Sequence, residues 1–330
     1  MSRKLLSYTA LGLILGNTAF ADVPKVAVDI APVHSLVSRV MEGVGTPELV
    51  IPAGASPHGY SLRPSEAKAL QDADMIIWMG EDLAPWMENS IETLSKNADV
   101  ITLLEESETK LLDFREGALF EEHDHGDHDD HDDHDDHDHD KDHDDHDDHD
   151  DHGDHDEHAH GEHDPHAWLS IENAQTWLNL VAGKLSAADP ENAGVYFANA
   201  AEARAEIDAL AKEVNSILEP VRGRNFVVFH DAYQYFETSF DFPAAGAISL
   251  GDASDPSAAR IAEIQDRVKD EGINCVLSEP QYNPNLVATV LSGTDAKTGV
   301  IDPLGASLEP GSNLYGDLIR NMAKSLAGCL

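Results

Sequence analysis

The sequence predicts an α/β fold with two lobes, each built on a parallel sheet of about four strands with flanking helices. Short apolar runs of strand length alternate with longer helical stretches, which is typical of parallel sheets. This alternation occurs twice, before and after a long helical stretch near the middle of the chain. The length of 330 residues is sufficient for two medium-sized domains.

Residues 1–21 have the features of a secretory signal peptide. Arg3 and Lys4 precede an apolar run that ends at Phe20, and the small residues around Ala21 fit a cleavage site. The run is too short to be read as a membrane span, and no cysteine follows it to carry a lipid anchor. We therefore expect an exported, soluble, periplasmic protein that begins at Asp22.

The N-terminal lobe is predicted to span residues 22–188. Apolar runs with the length of buried strands occur at 25–30, 48–51, 75–79 and 100–104. Helices are predicted at 32–41, from Ser65 onward, and from His166 to about Ala187. Strands that alternate with helices in this order predict a parallel sheet.

A segment of almost pure His and Asp, residues 121–164, follows the fourth predicted strand; we call it the His/Asp segment. It holds 15 of the 19 histidines and contributes −23 to the formal net charge of −42. With almost no apolar side chains it cannot offset the entropy of ordering, so we predict a disordered loop. Because imidazoles bind zinc and carboxylates attract cations, we expect it to hold several additional ions weakly. A solvated acidic linker without a metal role is the alternative.

Residues 189–218 are predicted to form one long, rigid helix that joins the lobes. Apolar residues recur there at helical spacing, namely Phe197, Ala200, Ile207, Leu210, Val214 and Ile217. The C-terminal lobe, residues 219–330, repeats the strand and helix pattern. Its predicted strands are 225–229, 244–249, 275–278 and 299–301, and its predicted helices begin at Asp255–Pro256 and at about Asn313.

Cys275 and Cys329 are the only two cysteines. In an exported chain two cysteines most often pair, so we predict a disulfide that ties the C-terminus to the last lobe. A metal role is the weaker alternative, because the spacing is long. Outside the His/Asp segment the chain still carries −19, which excludes nucleic acids and anionic membrane surfaces as partners and favours cations.

Polar residues with metal-binding side chains follow several predicted strands. His58 lies after the second strand and His166 after the fourth, while His230 ends the first strand of the C-terminal lobe and Asp302 follows its last. Ligands of open parallel sheets bind beyond the carboxyl ends of strands. Three imidazoles with a carboxylate or a water form a four-coordinate site suited to zinc. His34 is interpreted as a histidine that does not bind the metal.

Four ordered motifs resemble those of the metal-binding proteins of ABC importers, and together with the His/Asp segment and the two cysteines they resemble the periplasmic zinc-binding subunit (ZnuA-type). They are Ser56-Pro57-His58-Gly59-Tyr60, Asp164-Pro165-His166-Ala167-Trp168-Leu169, Phe229-His230-Asp231-Ala232-Tyr233 and Ile301-Asp302-Pro303-Leu304-Gly305. The resemblance implies two lobes joined by a long helix, with Zn²⁺ bound between them and delivered to a membrane permease.

The same resemblance implies that His58, His166 and His230 are metal ligands. Pro57 stands where some zinc-binding members have a glutamate ligand, so the fourth position falls to Asp302 or to a water, with Glu279 a weaker candidate. The expected partners are the permease and, as a further candidate, a periplasmic metallochaperone; the chain is expected to be a monomer.

Three other functions are alternatives. A periplasmic metal buffer would use the His/Asp segment and need no specific site. A manganese importer subunit is disfavoured because manganese prefers more oxygen ligands than three imidazoles leave room for. A zinc hydrolase would need a general base beside the metal, as in H-E-x-x-H, and the sequence has no such motif. We therefore predict that the protein is not an enzyme.

Overall fold

The structure is a computed structural model, and it describes residues 23–115, 163–249, 257–282 and 284–330. Three predictions fall wholly or mostly outside these residues: the signal peptide at 1–21, the disordered loop at 121–164 and the helix start at Asp255–Pro256. Within the described residues no helix is both long enough and apolar enough to cross a membrane.

The N-terminal sheet has four parallel strands in the order β2-β1-β3-β4. Its strands are β1 (Val26–Val28), β2 (Glu48–Leu49), β3 (Met75–Trp78) and β4 (Asp99–Thr102). The connecting helices are α1 (Ala31–Val40), α2 (Pro64–Asp72) and α3 (Pro85–Leu94). Every residue of β1 and β3 is buried, as expected for central strands covered on both faces.

The C-terminal sheet repeats this arrangement, with four parallel strands in the order β6-β5-β7-β8. Its strands are β5 (Phe226–His230), β6 (Gly246–Ser249), β7 (Cys275–Ser278) and β8 (Lys297–Val300). The accompanying helices are α6 (Gln234–Phe240), α7 (Ala258–Asp270), α8 (Pro284–Val290) and α9 (Leu314–Cys329). The predicted fold class of two four-stranded parallel sheets with flanking helices is confirmed.

Two helices connect the sheets, α4 (Ile171–Ala188) and the 26-residue α5 (Ala193–Leu218). Helix α5 packs against α1 and α4 on the N-terminal side and against α9 on the C-terminal side. Its buried stripe differs in part from the predicted one, because Tyr196 is buried while Phe197 is 52% exposed.

A large apolar cluster runs through both halves of the molecule. It includes residues of β1, β3, α4, α5 and α9, whereas a second, smaller cluster lies between the C-terminal sheet and helices α7 and α8. The disulfide between Cys275 and Cys329 ties β7 to the end of α9, with the two Cα atoms 5.8 Å apart. The predicted pairing of the cysteines is therefore present in the structure.

Several local details differ from the sequence prediction. The short helices α3, α6 and α8 were not predicted. His166 precedes a 3₁₀ turn at Ala167–Leu169, and α4 begins only after Ser170, whose hydroxyl accepts a hydrogen bond from the Asn173 amide. Ser257 caps α7 in the same way.

Candidate metal centre

Three imidazoles converge between the two sheets. One ring nitrogen from each of His58, His166 and His230 lies within 4.8 Å of the others, a spacing at which one metal ion can bind all three. The ring centroids are 5.3 to 6.4 Å apart. The N-terminal half supplies His58 and His166, and the C-terminal half supplies His230, so the cluster exists only because the two halves face each other.

His166 is held by a carboxylate two residues before it. Asp164 Oδ1 accepts a hydrogen bond from the His166 backbone amide (2.9 Å) and lies 2.7 Å from its Nδ1. Both side chains are buried. An ionised carboxylate can only accept, so Nδ1 carries the proton and Nε2 carries the lone pair that a metal ion binds. Trp168 fixes the loop further, because its Nε1 donates to the Pro303 carbonyl (2.8 Å) in the other half.

His230 is held in the same way by a carboxylate from a neighbouring strand. It is the last residue of β5, and its Nδ1 lies 2.6 Å from Oε1 of Glu279, the residue after β7. Both residues are 4% exposed. The two strands are adjacent in the sheet, and this brings together residues that are 49 positions apart in the sequence. The Glu279 carboxylate therefore directs Nε2 of His230 toward the other imidazoles.

His58 lies in the loop between β2 and α2, which is fixed by bonds to its neighbours. Trp86 Nε1 donates to the Pro57 carbonyl (2.7 Å). Tyr60 donates its hydroxyl hydrogen to Glu66 Oε1 (2.9 Å), and the other oxygen of Glu66 accepts from the Arg63 amide. His58 is only half-buried, so it forms the outer side of the cluster, whereas His166 and His230 form its floor.

The electrostatics of the site favour a divalent cation. Two buried carboxylates, Asp164 and Glu279, stand behind the imidazoles and offset the charge of a bound M²⁺ ion. Burial, followed by the negative charge of Glu279 and Asp302, raises the pKa of Tyr233 well above its usual value, so this hydroxyl keeps its proton. The cavity between the imidazoles has a volume of about 10 Å³, roughly the room that one water molecule needs. A fully hydrated ion does not fit.

Asp302 lies outside the imidazole cluster. Its carboxylate accepts hydrogen bonds from the amides of Leu304 (3.1 Å), Gly305 (3.0 Å) and Ala306 (2.6 Å), so it shapes the loop after β8. His34 is buried away from the cluster, with Nε2 3.0 Å from the Pro47 carbonyl. Burial lowers its pKa, in keeping with a structural histidine.

Residues near the His/Asp segment contact each other and, through Arg115, the C-terminal half. Asp113 and His163 form an antiparallel bridge, and Arg115 makes ion pairs with Asp231 and Glu237. Burial raises the pKa of Asp231, and the Arg115 guanidinium opposes that shift. Arg115 is thereby held beside Asp231, the neighbour of His230, and His163 lies three residues before His166.

The sequence prediction found the three histidines but not the carboxylates that orient them. Asp164 was part of a quoted motif, and its spacing of two residues from His166 was an available signal. Glu279 was considered only as a weak candidate for the fourth ligand. Its contact with His230 depends on the pairing of β5 with β7, which no local pattern reveals.

Comparisons with known proteins identify the family. The model of the periplasmic component A of zinc-uptake complexes matches residues 26–329. The high-affinity zinc uptake system protein ZnuA of Paracoccus denitrificans is 49% identical over 328 residues, which cover 98% of each chain. The ZnuA protein of Brucella abortus is 48% identical over 96% of this chain and 94% of its own.

Solved structures share the fold. A ZnuA crystal structure superimposes with a TM-score of 0.72 at 20% identity, over 93% of this chain and 99% of that one. A manganese complex of the solute-binding protein FpvC from Pseudomonas aeruginosa gives a TM-score of 0.70 at 19% identity, over 93% and 97% of the two chains. The family match covers nearly the whole chain and agrees with the four motifs and the two-sheet fold. The chain belongs to the ZnuA family, the periplasmic components of zinc-uptake complexes.

Proposed function

We propose that this protein binds one Zn²⁺ ion between its two lobes in the periplasm and delivers it to the membrane permease of an ABC importer. The observation that carries this proposal is the convergence of three imidazoles from both halves of the chain, two of them oriented by buried carboxylates. Such a site is preorganised, so binding costs little additional ordering. Tight, specific capture of a single ion follows from that preorganisation.

The proposed ligands are His58, His166 and His230, each through one ring nitrogen. Three nitrogen ligands with one further position suit tetrahedral zinc, whereas manganese and magnesium require more oxygen ligands. The fourth ligand is Asp302 or a water.

The His/Asp segment has an auxiliary role in this proposal. It binds additional ions weakly, because each ion must order the chain around it, and it raises the local zinc concentration beside the specific site. The ion pairs of Arg115 hold that residue, six positions before the segment, close to that site. Residues 1–21 direct export, the protein acts as a monomer, and a periplasmic metallochaperone is a further candidate partner. A transport role requires no catalytic group.

The test is a zinc titration against a strong chromophoric chelator with a variant that lacks residues 121–162. This deletion keeps Arg115, Asp113 and His163, so both anchored ends remain. We expect one tight site that survives the deletion and is lost in His230→Ala.

His163→Ala is the matched control, since it removes an imidazole three residues from His166 but outside the cluster. It should leave the tight site intact. If the deleted form bound no zinc tightly, the His/Asp segment would be the working part and the protein a metal buffer. Delivery is tested by the growth of a strain that lacks the protein under zinc limitation. The wild-type protein should restore growth, and His230→Ala should not.

A further inference from the structure

The fourth coordination position of the site lacks an obvious protein ligand. Asp302 is the nearest acidic candidate from the sequence, but both of its oxygens already accept backbone amide hydrogens in the loop after β8. Binding a metal ion through this carboxylate would compete with three hydrogen bonds that shape the loop. Each buried amide left without an acceptor costs about 1–3 kcal/mol. Asp302 is therefore a poor direct ligand.

Gln281 lies between Asp302 and the imidazoles. Its Nε2 donates to Asp302 Oδ1 (3.4 Å), and its side chain lines the same small cavity as the three histidines. The bond to Asp302 fixes the orientation of the amide, because the reversed amide would place Oε1 against a carboxylate oxygen. Oε1 is buried and has no hydrogen-bond partner among the residues that the structure describes. A buried acceptor of this kind needs a donor that arrives with the ligand.

We propose that Gln281 is a positioning residue whose Oε1 accepts a hydrogen bond from a water that is the fourth ligand of the bound Zn²⁺ ion. This inference rests on the proposed function. A zinc-bound water is a strong donor and requires an acceptor close to the metal. Glu279, the carboxylate that lines the cavity, is occupied by His230. Asp302 then acts through Gln281, by holding its amide in the orientation that presents Oε1.

The arrangement determines the chemistry of the site. The water is held by a neutral amide, so the site keeps a ligand that can be exchanged without breaking a protein–metal bond. Release to a permease is easier from such a site than from one closed by four protein ligands. The carboxylate of Asp302 contributes charge without direct coordination.

The experiment uses Co²⁺ as a spectroscopic probe, added at one equivalent to the metal-free protein purified from the periplasm. Four-coordinate Co²⁺ absorbs strongly in the visible range, and ionisation of a bound water changes that spectrum with pH. We expect the wild type to show a four-coordinate spectrum with one such pH transition. Gln281→Met, which removes the acceptor at similar volume, should shift the transition and lower zinc affinity about tenfold, the lower end for groups that orient metal ligands.

Two further variants separate the alternatives. Asp302→Asn should keep the four-coordinate spectrum, whereas loss of that spectrum would identify Asp302 as the ligand and overturn the proposal. A wild type without any pH transition would exclude a bound water and also overturn the proposal. If His230→Ala left the wild-type spectrum unchanged, the proposed zinc site itself would fail, an outcome distinct from failure at Gln281.

Discussion

The two sheets have the same strand order but use the ends of their central strands differently. Alignment on the first paired residues, Val26 with Met75 and Phe226 with Cys275, makes Ile30 equivalent to His230 and Met79 equivalent to Glu279. In the N-terminal sheet these two positions are apolar and buried. In the C-terminal sheet the same positions hold a candidate ligand and the carboxylate that orients it.

A carboxylate joins the two strand ends in both sheets. In the N-terminal sheet Asp29 accepts the backbone amides of Ile30 (2.7 Å) and Met79 (2.7 Å), which closes the edge. In the C-terminal sheet the Glu279 side chain reaches the His230 ring, which leaves an imidazole facing the cleft. The N-terminal half therefore contributes its imidazoles from loops. The same topology thus gives two kinds of strand end. In the N-terminal lobe Asp29 closes the ends of β1 and β3, which we call the sealed edge. In the C-terminal lobe the ends of β5 and β7 carry His230 and Glu279, which we call the metal-binding edge.

The largest expected effect is the change with pH in the free energy of unfolding that Asp29 contributes at the sealed edge. Burial raises the pKa of Asp29 from 3.8 to about 7, against the opposing effect of its backbone donors. The pKa of this carboxyl group is therefore higher in the folded state than in the unfolded state. Such a group contributes stability that is fully present below pH 3.8 and is lost as the pH rises through 7. From pH 5 to pH 8 the metal-free protein should lose about 3 kcal/mol of unfolding free energy through this group. Asp29→Asn should lack that loss.

Urea denaturation in the presence of a chelator measures this difference, with chelation removing the effect of zinc. Asp99→Asn is the control, because Asp99 lies exposed on the edge strand of the same sheet. It should follow the wild-type pH dependence. Equal pH dependence in the wild type and in Asp29→Asn would show that Asp29 is ionised in the folded protein throughout this range.

The second effect tests the metal-binding edge. Glu279→Gln keeps an oxygen that accepts from His230 but removes the charge, so zinc affinity should fall about tenfold or more, within the 10–100-fold range for groups that orient metal ligands. Met79→Leu makes a volume-conserving change at the equivalent position of the other sheet and should leave zinc affinity unchanged. Competition with a chromophoric chelator measures both. If Glu279→Gln left the zinc affinity unchanged, the charge of Glu279 would contribute no more to zinc binding than the equivalent Met79 does.

The sequence predicted those parts of the molecule whose signal is local. All eight strands were found within a few residues, because most of them lie in short apolar runs, and the three histidines that the structure brings together belong to the motifs. The pair of His230 and Glu279 was missed because it depends on which strands are neighbours. The orientation of α5 was partly wrong for a related reason. Tyr196 and Phe197 are both aromatic, and only contacts with α1, α4 and α9 decide which of them faces the core.

The position of Asp302 illustrates a different limit. The motif placed this acid after the last strand, and the structure agrees with that location. Its role depends on the path of the following loop, where three amides turn toward the carboxylate. Such a turn is a property of the backbone conformation, and the same residue letters are compatible with a metal ligand. Sequence reasoning therefore left the choice between Asp302 and water open.

The smallest effect is the change in stability on adding a Cβ atom at one glycine in each half of the molecule. A Cβ atom at Gly299 would lie 2.9 Å from Leu277 Cδ2 and 3.2 Å from Cys329 Cβ, and the disulfide prevents Cys329 from moving away. Gly299→Ala should therefore destabilise the protein by about 1–3 kcal/mol in urea denaturation. At Gly45 the Cβ would approach Val23 Cγ1 (2.9 Å) and the terminal methyl of Met41 (3.0 Å).

The Met41 methyl is the end of a flexible side chain, and the Val23 side chain is only half-buried. Both can shift, so Gly45→Ala should change stability by less than about 1 kcal/mol, partly offset by the lower entropy of its unfolded chain. Removing the disulfide with Cys275→Ser and Cys329→Ser should reduce the cost of Gly299→Ala, because the α9 end can then relax. An equal cost with and without the disulfide would mean that packing against Leu277 alone restricts this edge of the C-terminal sheet.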